Sequence, residues 1–405
     1  MNKKKSDLNL KQVMENILEE AGFKRYFKKI RNLLKEYMDM REEYYSLVAL
    51  WIIGTYIHKQ FASYPYLYFN AMKGSGKSRI LKFIENLSKN GKRANNITEG
   101  VLFRTAYERT LCIDEFERMN DKKNDAIKEL LNSAYKRGAI VERLSKRKVE
   151  GSEQYITEEF KVYCPIAIAN IWGMDNVLGD RCIPVILEKS SKREIVDLIE
   201  CFESDIEFQI IRGGLKRLTE NISNSSNIFG DVFQSWKKFS QGKHDTKDTK
   251  DSTTALFKKI KEANVSGRNL ELFFPLFIIA DICGDKVLKE ILKFSQKVIK
   301  EKREKDRDEN IDVQIYEFIA QYPNSNFVEI STLVNDFKKF IERDESWINN
   351  TFFGRGLSRL NLVLKRRHQH KREVLLDIEK AKEQIKKFKE PDEIKTIELD
   401  EVFNG

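Results

Sequence analysis

The segment YFNAMKGSGKSRIL, residues 68–81, contains residue types that can bind a phosphate group. Two glycines, Gly74 and Gly76, permit a tight backbone path whose amides can contact an anion. Lys77 supplies a positive charge, and Ser78 supplies a hydroxyl that can bind Mg²⁺. Taken alone, this cluster also fits an ordinary turn before a helix.

One position departs from the usual phosphate-loop pattern, G-x-x-x-x-G-K-[ST], because Ala71 stands where its first glycine is expected. A second motif follows in RTLCIDEFERM, an apolar run that ends in Asp114 and Glu115, 37 residues after Lys77. The first acid is where an ATPase holds Mg²⁺, and the second is placed to activate the attacking water as general base. Solvated acids at a strand end would explain the second motif alone, but the two motifs together predict an ATP and Mg²⁺ site.

The surrounding elements have the order that such a site needs. PYLYFN is β-rich and precedes the loop, and SRILKFIENLSKNG has helical periodicity after it. A helix over about 121–137 follows the second motif. The next run, AIVERLSKRKVEGSEQYITEEFKVY, alternates around a basic turn and predicts a β-hairpin, before two buried strands in CPIAIANI and CIPVILE. Upstream, YYSLVALWIIGTYIHKQF predicts a buried helix, and residues 8–38 predict two short helices joined near Gly22.

Composition limits the class of protein. The 405 residues are 41% hydrophobic and 34% charged, which is typical of a globular chain of two or three domains. No run approaches the roughly 20 apolar residues of a membrane helix, and no signal peptide is visible, so we expect a cytoplasmic protein without a membrane partner. Five scattered cysteines are expected to be reduced, and four histidines have no zinc-like spacing.

These motifs resemble a known family. LCIDEFERMN resembles the Walker-B region of the minichromosome-maintenance (MCM) replicative helicases, a branch of the AAA+ ATPases. The series ALWIIGTY, FASYPYLYFNAMKGSGKSRIL and ITEGVLFRTAYERTLCIDEFE resembles more closely the MCM-like ATPase/helicase proteins of phages, plasmids and cassette-type mobile elements. Those relatives also tend to lack the first loop glycine. The resemblance covers about residues 45–300.

The expected fold class is α/β, with an AAA+ P-loop NTPase core, a helical lid, an N-terminal helical segment and a C-terminal winged-helix domain. The expected boundaries are 1–43 for the N-terminal segment, 44–222 for the core, 223–305 for a polar insertion and lid, 306–389 for the winged helix, and 390–405 for an acidic tail. The polar insertion itself, 241–254, is expected to be disordered.

The resemblance implies roles for individual residues. Nucleotide binding falls to Lys73, Gly74, Ser75, Gly76, Lys77, Ser78 and Arg79, and Mg²⁺ binding to Ser78 and Asp114. The implied catalytic residues are Glu115, Asn170, Arg181 and Arg268. Asn170 matches sensor 1, which helps to orient the water, but a strand-ending asparagine has the same pattern. Arg181 matches an arginine finger that reaches the γ-phosphate of a neighbouring subunit, although a surface ion pair is the alternative. Arg268 resembles the lid's sensor-2 arginine, with an alignment blurred by the insertion. A trans-acting arginine requires an oligomer, and a hexamer is the family expectation.

Basic residues indicate a DNA partner. The net charge is +10, and residues 351–389 hold twelve Lys/Arg against four Asp/Glu. Lys146, Arg147 and Lys148 lie at the hairpin tip, in the position of the central-channel hairpin of MCM helicases, although a solvated basic turn is the alternative. In the predicted winged helix, the candidate DNA contacts are Arg355 and Arg359 on the recognition helix, and Lys365, Arg366, Arg367, Lys371 and Arg372 on the wing. Winged helices also serve as protein-contact modules.

The leading hypothesis is an ATP-hydrolysing oligomeric DNA helicase or translocase that acts in replication of a mobile genetic element. The alternative is an ATP-dependent loader or remodeller of a replication protein, without unwinding activity of its own. A DNA-binding regulator with a structural nucleotide site is a third hypothesis, against which Glu115 argues, because a switch needs no general base. No primase or nuclease site is visible, so a separate primase is a candidate partner. The acidic tail could dock that partner, cover the basic wing, or do neither.

Overall fold

The computed structural model describes residues 22–93, 99–114, 125–149, 152–170, 176–224, 228–242, 252–309, 311–323, 326–342, 344–368 and 372–388. The protein is a mixed α/β structure that divides into two units, Met1–Gln296 and Lys297–Gly405. None of the helices in the described part of the chain has both the length and the apolar character that crossing a membrane requires.

A five-stranded parallel sheet forms the centre of the first unit. The strands of this unit are β1 (Tyr66–Ala71), β2 (Gly91–Arg93), β3 (Thr110–Ile113), β4 (Ile140–Val149), β5 (Ser152–Lys161), β6 (Ile166–Asn170) and β7 (Cys182–Leu187). The sheet has the order β2-β3-β6-β1-β7, and every pairing in it is parallel. Parallel strands point their carboxyl ends at one edge, so the segments that follow β1, β3 and β6 meet there.

Helices surround this sheet because its strands are apolar on both faces. The helices that begin in the first unit are α1 (Phe23–Tyr37), α2 (Glu42–Thr55), α3 (Lys77–Leu87), α4 (Glu99–Thr105), α5 (Asp125–Ser133), α6 (Asn176–Gly179), α7 (Arg193–Val196), α8 (Ile206–Asn224), α9 (Ile228–Ser240), α10 (Ser252–Glu262), α11 (Gly267–Cys283) and α12 (Asp285–Glu309). Helix α2 is buried along twelve consecutive residues, Tyr44–Thr55, as its all-round apolar sequence predicts. The five cysteines are free, and all except Cys201 are buried.

Strands β4 and β5 form a separate two-stranded antiparallel hairpin. Their pairing runs from Ile140 opposite Lys161 to Val149 opposite Ser152. The strands therefore extend further than the sequence indicated, because Lys146, Arg147 and Lys148 lie in the paired strand β4 and not in the turn.

The second unit combines helices with a small sheet. It contains α13 (Ile311–Gln321), β8 (Val328–Glu329), α14 (Ile330–Phe340), α15 (Asn350–Arg359), β9 (Val363–His368), β10 (Arg372–Leu376) and α16 (Ile378–Phe388). The strands pair in the order β8-β10-β9, and both pairings are antiparallel. The Asn349 side chain caps α15 by accepting hydrogen bonds from the backbone amides of Thr351 and Phe352. A buried apolar core that includes Phe337, Phe353 and Val374 holds these elements together.

Candidate functional site

The loop between β1 and α3 turns sharply at two glycines. Gly74 and Gly76 have φ angles of 82° and 87°, in the left-handed region that side chains disfavour. A Cβ added at Gly76 would also lie 3.0 Å from Cε of Met38. Helix α3 begins immediately after Gly76, so its unpaired backbone amides and its positive dipole end point into the loop. This geometry can bind a phosphate.

Ala71 has a conformation that needs no glycine. It is the last residue of β1, 1% exposed, and pairs with Leu187 of β7. It therefore adopts ordinary extended backbone, and its methyl group packs in the core. The departure from the usual loop pattern lies in the strand that supports the loop, outside the turn itself.

Restoring the missing glycine is therefore not expected to increase the affinity for ATP. Ala71→Gly should lower the free energy of unfolding by about 0.5–1 kcal/mol, because glycine loses more backbone entropy in a strand. The affinity for ATP should stay unchanged, as measured by titration of a fluorescent ATP analogue beside a thermal unfolding curve. Tighter ATP binding by Ala71→Gly would contradict this assignment.

Three side chains from the two sequence motifs meet at the carboxyl edge of the sheet. Nζ of Lys77 lies 3.6 Å from Oδ1 of Asp114, and both side chains are largely buried. The hydroxyl of Ser78 donates a hydrogen bond to Oδ2 of Asp114 at 3.1 Å. Residues 37 positions apart in the chain thus form one cluster of an amine, a hydroxyl and a carboxylate.

The donor atoms of this cluster suit Mg²⁺. Ser78 and Asp114 offer a hydroxyl and a carboxylate oxygen side by side. Mg²⁺ prefers oxygen ligands, and it usually takes only one or two from the protein while phosphates and waters supply the rest. Two adjacent protein oxygens therefore fit a metal whose other ligands come from phosphate and water.

A cavity of about 500 Å³ opens beside the loop. One wall is the loop itself, from Met72 to Arg79. The other walls come from residues 37–39, at the end of α1, and from residues 188–200, after β7. Sequence analysis missed these walls, because neither segment has a motif and they are about 150 positions apart.

Arg79 holds one wall of the cavity in place. Its guanidinium donates to Oε1 of Glu200 at 2.9 Å, and to the carbonyl oxygens of Ile195 and Leu198 at 2.6 and 2.9 Å. Arginine suits this role because its planar fork can contact several acceptors at once. Arg79 therefore ties the segment after β7 to the first turn of α3. Lys73, whose side chain is exposed, also lines this cavity.

Asp39 fixes the other wall. Its carboxylate accepts hydrogen bonds from Nζ of Lys192 at 2.8 Å and from the hydroxyl of Ser190 at 2.9 Å. The hydrogen bond from Lys192 lowers the pKa of the Asp39 carboxyl below its usual value, with partial burial opposing the shift. Asp39 is therefore ionised at neutral pH and links the end of α1 to the segment after β7.

Asn170 lies at the same edge of the sheet. It is the last residue of β6, 2% exposed, and its register partner is Asn70 of β1. Since β6 lies between β1 and β3, Asn170 is between the strand that carries the loop and the strand that leads to Asp114. Glu115 lies outside the described residues.

Arg181 and Arg268 lie together on one buried tyrosine. Their Cζ atoms are 5.2 and 4.8 Å from the ring centre of Tyr135. Arg181 also donates to the carbonyl oxygen of Asn132 at 3.1 Å, and Arg268 donates to the Tyr135 hydroxyl. The two arginines that the family resemblance singled out therefore share one location, with Tyr135 as a support that sequence analysis did not identify.

This arginine pair lies at the opposite end of β1 from the loop between β1 and α3. The Arg181 carbonyl accepts a hydrogen bond from the amide of Tyr66, the first residue of β1, at 3.1 Å. The loop follows the last residue, Ala71, and a six-residue strand spans roughly 17 Å. An arginine side chain is much shorter than that distance, so neither guanidinium reaches the Lys77 cluster of its own chain.

The basic residues of the second unit are divided between two faces of the β9–β10 ribbon. Arg366 pairs with Val374, whereas Arg367 pairs with Glu373 on the next register position. Arg367 Nε is 2.9 Å from Oε2 of Glu373. Successive residues of a strand point to opposite faces, so Arg366 and Arg367 lie on opposite sides of the ribbon.

One side of the ribbon forms a cleft with α15. The cleft has a volume of about 470 Å³, and Arg355, Arg366 and Arg372 line it. Arg359, although on the same helix as Arg355, forms an ion pair with Asp312. Lys371 lies outside the described residues. The basic residues that the sequence analysis grouped as DNA contacts therefore lie in different environments: Arg355, Arg366 and Arg372 line the cleft, whereas Arg359 and Arg367 form ion pairs.

Comparison with known proteins adds little to this geometry. No family model matches the sequence, and no curated protein matches it. Among solved structures, a crystal structure of JCV helicase bound to an acetamide compound overlaps 66% of this chain and 74% of that chain, with 15% sequence identity and a TM-score of 0.25. An overlap at this TM-score does not establish a common fold.

Proposed function

We propose that the protein is an ATP-hydrolysing, oligomeric DNA helicase or translocase with an AAA+ type core and a C-terminal winged helix. The observation that carries the ATPase part is the meeting of Lys77, Ser78 and Asp114 behind a glycine loop at a helix N-terminus. A phosphate loop needs this combination of backbone amides, an amine, and oxygen ligands for a metal.

In this proposal the loop amides and Lys77 bind the β- and γ-phosphates, and Ser78 and Asp114 hold Mg²⁺. When bound, the metal neutralises the charge that develops on the phosphates. Glu115 accepts a proton from water, whose oxygen attacks the γ-phosphorus, and Asn170 helps to orient that water. The bond to the β–γ bridging oxygen breaks, and ADP and inorganic phosphate leave. Lys73 borders the phosphates, and Arg79 positions the cavity wall.

Oligomerisation is supported by the position of the arginine pair. Arg181 and Arg268 lie at the far end of β1 from their own phosphate loop. If they stabilise the γ-phosphate in the transition state, the nucleotide must belong to a neighbouring copy of the chain. The family resemblance suggests six copies in a ring.

DNA binding is supported by two basic elements, the β4–β5 hairpin and the cleft between α15 and the ribbon. Among the described residues, the cleft gathers three guanidiniums and one acid, Glu373, which is engaged by Arg367 on the ribbon. Like charges in one cleft repel each other, so an anion such as a backbone phosphate is the ligand that the cleft suits. The resemblance also suggests replication of a mobile element, with a primase as partner.

The cleft and the surface outside it provide a matched pair of variants. Arg366→Ala with Arg372→Ala should weaken duplex binding by about 10-fold or more, because two contacts to phosphates are lost. The slope of the logarithm of affinity against the logarithm of salt concentration should also fall by about one for each lost contact. Lys365→Ala with Lys382→Ala removes the same charge outside the cleft, leaves Arg367 paired with Glu373, and should weaken binding much less. Fluorescence anisotropy at several salt concentrations measures both. Equal losses from the two double variants would contradict the assignment of the cleft.

A strand-displacement assay separates the helicase from a loader or remodeller. Forked duplexes of both polarities are incubated with ATP and either the wild type or Lys77→Ala. If the protein is a helicase, the wild type displaces a strand from one of the forks when hydrolysable ATP is present, and Lys77→Ala displaces none. If DNA stimulates ATP hydrolysis by the wild type but no strand is displaced from either fork, the loader is favoured.

A further inference from the structure

A second cavity lies at the other end of helix α3 from the loop that precedes Lys77. Its volume is about 630 Å³, and it is bordered by Tyr56, by the end of α3 with the turn into β2, and by helix α8 with Glu203 before it. Helix α3 has 11 residues and therefore spans roughly 16 Å. The cavity is thus separate from the cluster of Lys77, Ser78 and Asp114.

Three basic side chains line this cavity. Lys89 follows α3, whereas Arg212 and Lys216 are four residues apart on α8 and therefore share one face of that helix. A guanidinium nitrogen of Arg212 donates to Oδ1 of Asn86 at 3.5 Å, a neutral acceptor that does not balance its charge. Within the described part of the chain, none of the three cations forms an ion pair. Like charges repel each other in one cavity, so a bound anion would stabilise them.

Two acids also line the cavity, and one of them is already engaged. Nε of Arg93 lies 3.4 Å from Oε2 of Glu85, and the Arg93 backbone amide donates to Oε1 at 3.0 Å. The other acid, Glu203, is exposed. The side chains around the cavity therefore keep an excess of positive charge.

Lys89 is partly withdrawn from water. Burial lowers the pKa of its ammonium group below the ordinary value, and the charge of Lys59 adds to this shift, whereas Glu108 and Glu220 oppose it. Glu108 is itself paired with Lys59 at 2.8 Å. A half-buried ammonium that lacks a carboxylate beside it loses hydration free energy, which an anionic ligand can restore.

A buried hydroxyl adds a further donor. Ser88 lines the cavity and is 3% exposed, and its Oγ has no hydrogen-bond partner among the described residues. The neighbouring carbonyl oxygens at the end of α3 are engaged. That of Leu87 accepts from the Tyr56 hydroxyl, and that of Ile84 accepts from the Ser88 amide, each at 2.9 Å. A buried hydroxyl without a partner is costly, and a ligand with acceptor oxygens would satisfy it.

A phosphate group matches this set of donors. It is compact, carries about two negative charges, and offers several oxygens to ammonium and guanidinium groups. We propose that the cavity binds a small molecule that carries a phosphate group, with Lys89, Arg212 and Lys216 contacting the phosphate and the Ser88 hydroxyl donating to it. The recessed positions of Lys89 and Ser88 favour a small phosphate compound over the outer surface of a nucleic acid. This site is independent of the proposed ATPase.

Pyrophosphate is the probe for this site. The test uses the Lys77→Ala variant as background, because pyrophosphate could also bind the loop before α3. Isothermal titration calorimetry should show that this variant still binds pyrophosphate. Adding Lys89→Gln or Arg212→Gln should weaken that binding by about 10-fold or more, since each change removes a hydrogen bond from a charged donor. Adding Ser88→Ala should also weaken it, by a smaller factor, because this donor is neutral.

Two exposed residues supply matched controls in the same background. Lys92 lies on β2 and Arg217 lies on α8, next to Lys216, and neither lines the cavity. Lys92→Gln and Arg217→Gln remove the same charge from the same elements, so they should leave the affinity for pyrophosphate unchanged. Thermal unfolding checks that each variant folds.

Three results would overturn the proposed phosphate site. The first is absence of pyrophosphate binding once Lys77 is replaced, and the second is an equal loss of affinity in the cavity variants and in the two controls. The third is displacement of the bound pyrophosphate by an oligothymidine or a duplex, which would assign these cations to nucleic acid. Failure of the proposed ATPase is measured separately, by phosphate release in the wild type, and leaves the pyrophosphate titrations unaffected.

Discussion

Replacing Lys77 with alanine is expected to abolish ATP turnover, with kcat/KM for ATP falling by about 10³-fold or more. The side chain is largely buried beside Asp114, at the start of a helix whose amides point into the loop. Its loss removes the only positive side chain of the Lys77, Ser78 and Asp114 cluster. Phosphate release measured with a coupled assay gives kcat and KM separately.

Lys82→Ala is the matched control for this variant. Lys82 lies on the same helix, but its ammonium is 3.9 Å from Glu200 and outside the cluster. The Lys82→Ala variant should hydrolyse ATP at close to the wild-type rate. Equal losses in the two variants would show that the change in charge or in helix stability matters, and would remove the specific role of Lys77.

Replacing Arg181 with alanine is expected to lower kcat by about 10³-fold, the lower end of the effect of an arginine finger, with a small change in the affinity for ATP. The separation of Arg181 from its own loop explains this pattern, because the nucleotide stays bound by one copy while the next copy fails to stabilise the transition state. Arg137→Ala serves as control, because Arg137 is exposed and its guanidinium donates to the Lys59 carbonyl oxygen at 3.4 Å.

Mixing two inactive variants tests the trans arrangement directly. Lys77→Ala has an intact arginine and Arg181→Ala has an intact loop, so mixed oligomers contain some complete sites. The mixture should therefore hydrolyse ATP well above the sum of the separate variants. A mixture with no recovery, although both variants assemble like the wild type, would argue that Arg181 acts within its own chain.

The sequence predicted the strands and the loop because their signals are local. β1, β3, β6 and β7 are short apolar runs, and each was expected within a few residues of its observed bounds. Gly74 and Gly76 were expected in a tight turn because their spacing is that of a phosphate loop, and both have positive φ angles. The strand β2 was not expected, since Gly91–Arg93 is too short to form an apolar pattern.

Contacts between segments that are distant in the chain could not be predicted from the sequence. The cavity walls at Asp39 and Glu200 are created by hydrogen bonds between distant segments, for which no local pattern exists. The sharing of Tyr135 by Arg181 and Arg268 likewise depends on how α11 packs near the start of β1. On the ribbon, counting basic residues could not assign them to faces, because a shift of register by one residue exchanges the faces.

The central claim is that the loop lysine, the hydroxyl and the carboxylate surround one magnesium-bound nucleotide. Titration of a fluorescent ATP analogue, with and without Mg²⁺, tests it for the wild type, Ser78→Ala and Asp114→Asn. We expect Mg²⁺ to tighten binding by the wild type, and we expect both variants to lose that gain while they keep the weaker metal-free binding. An undiminished gain from Mg²⁺ in both variants would contradict the claim.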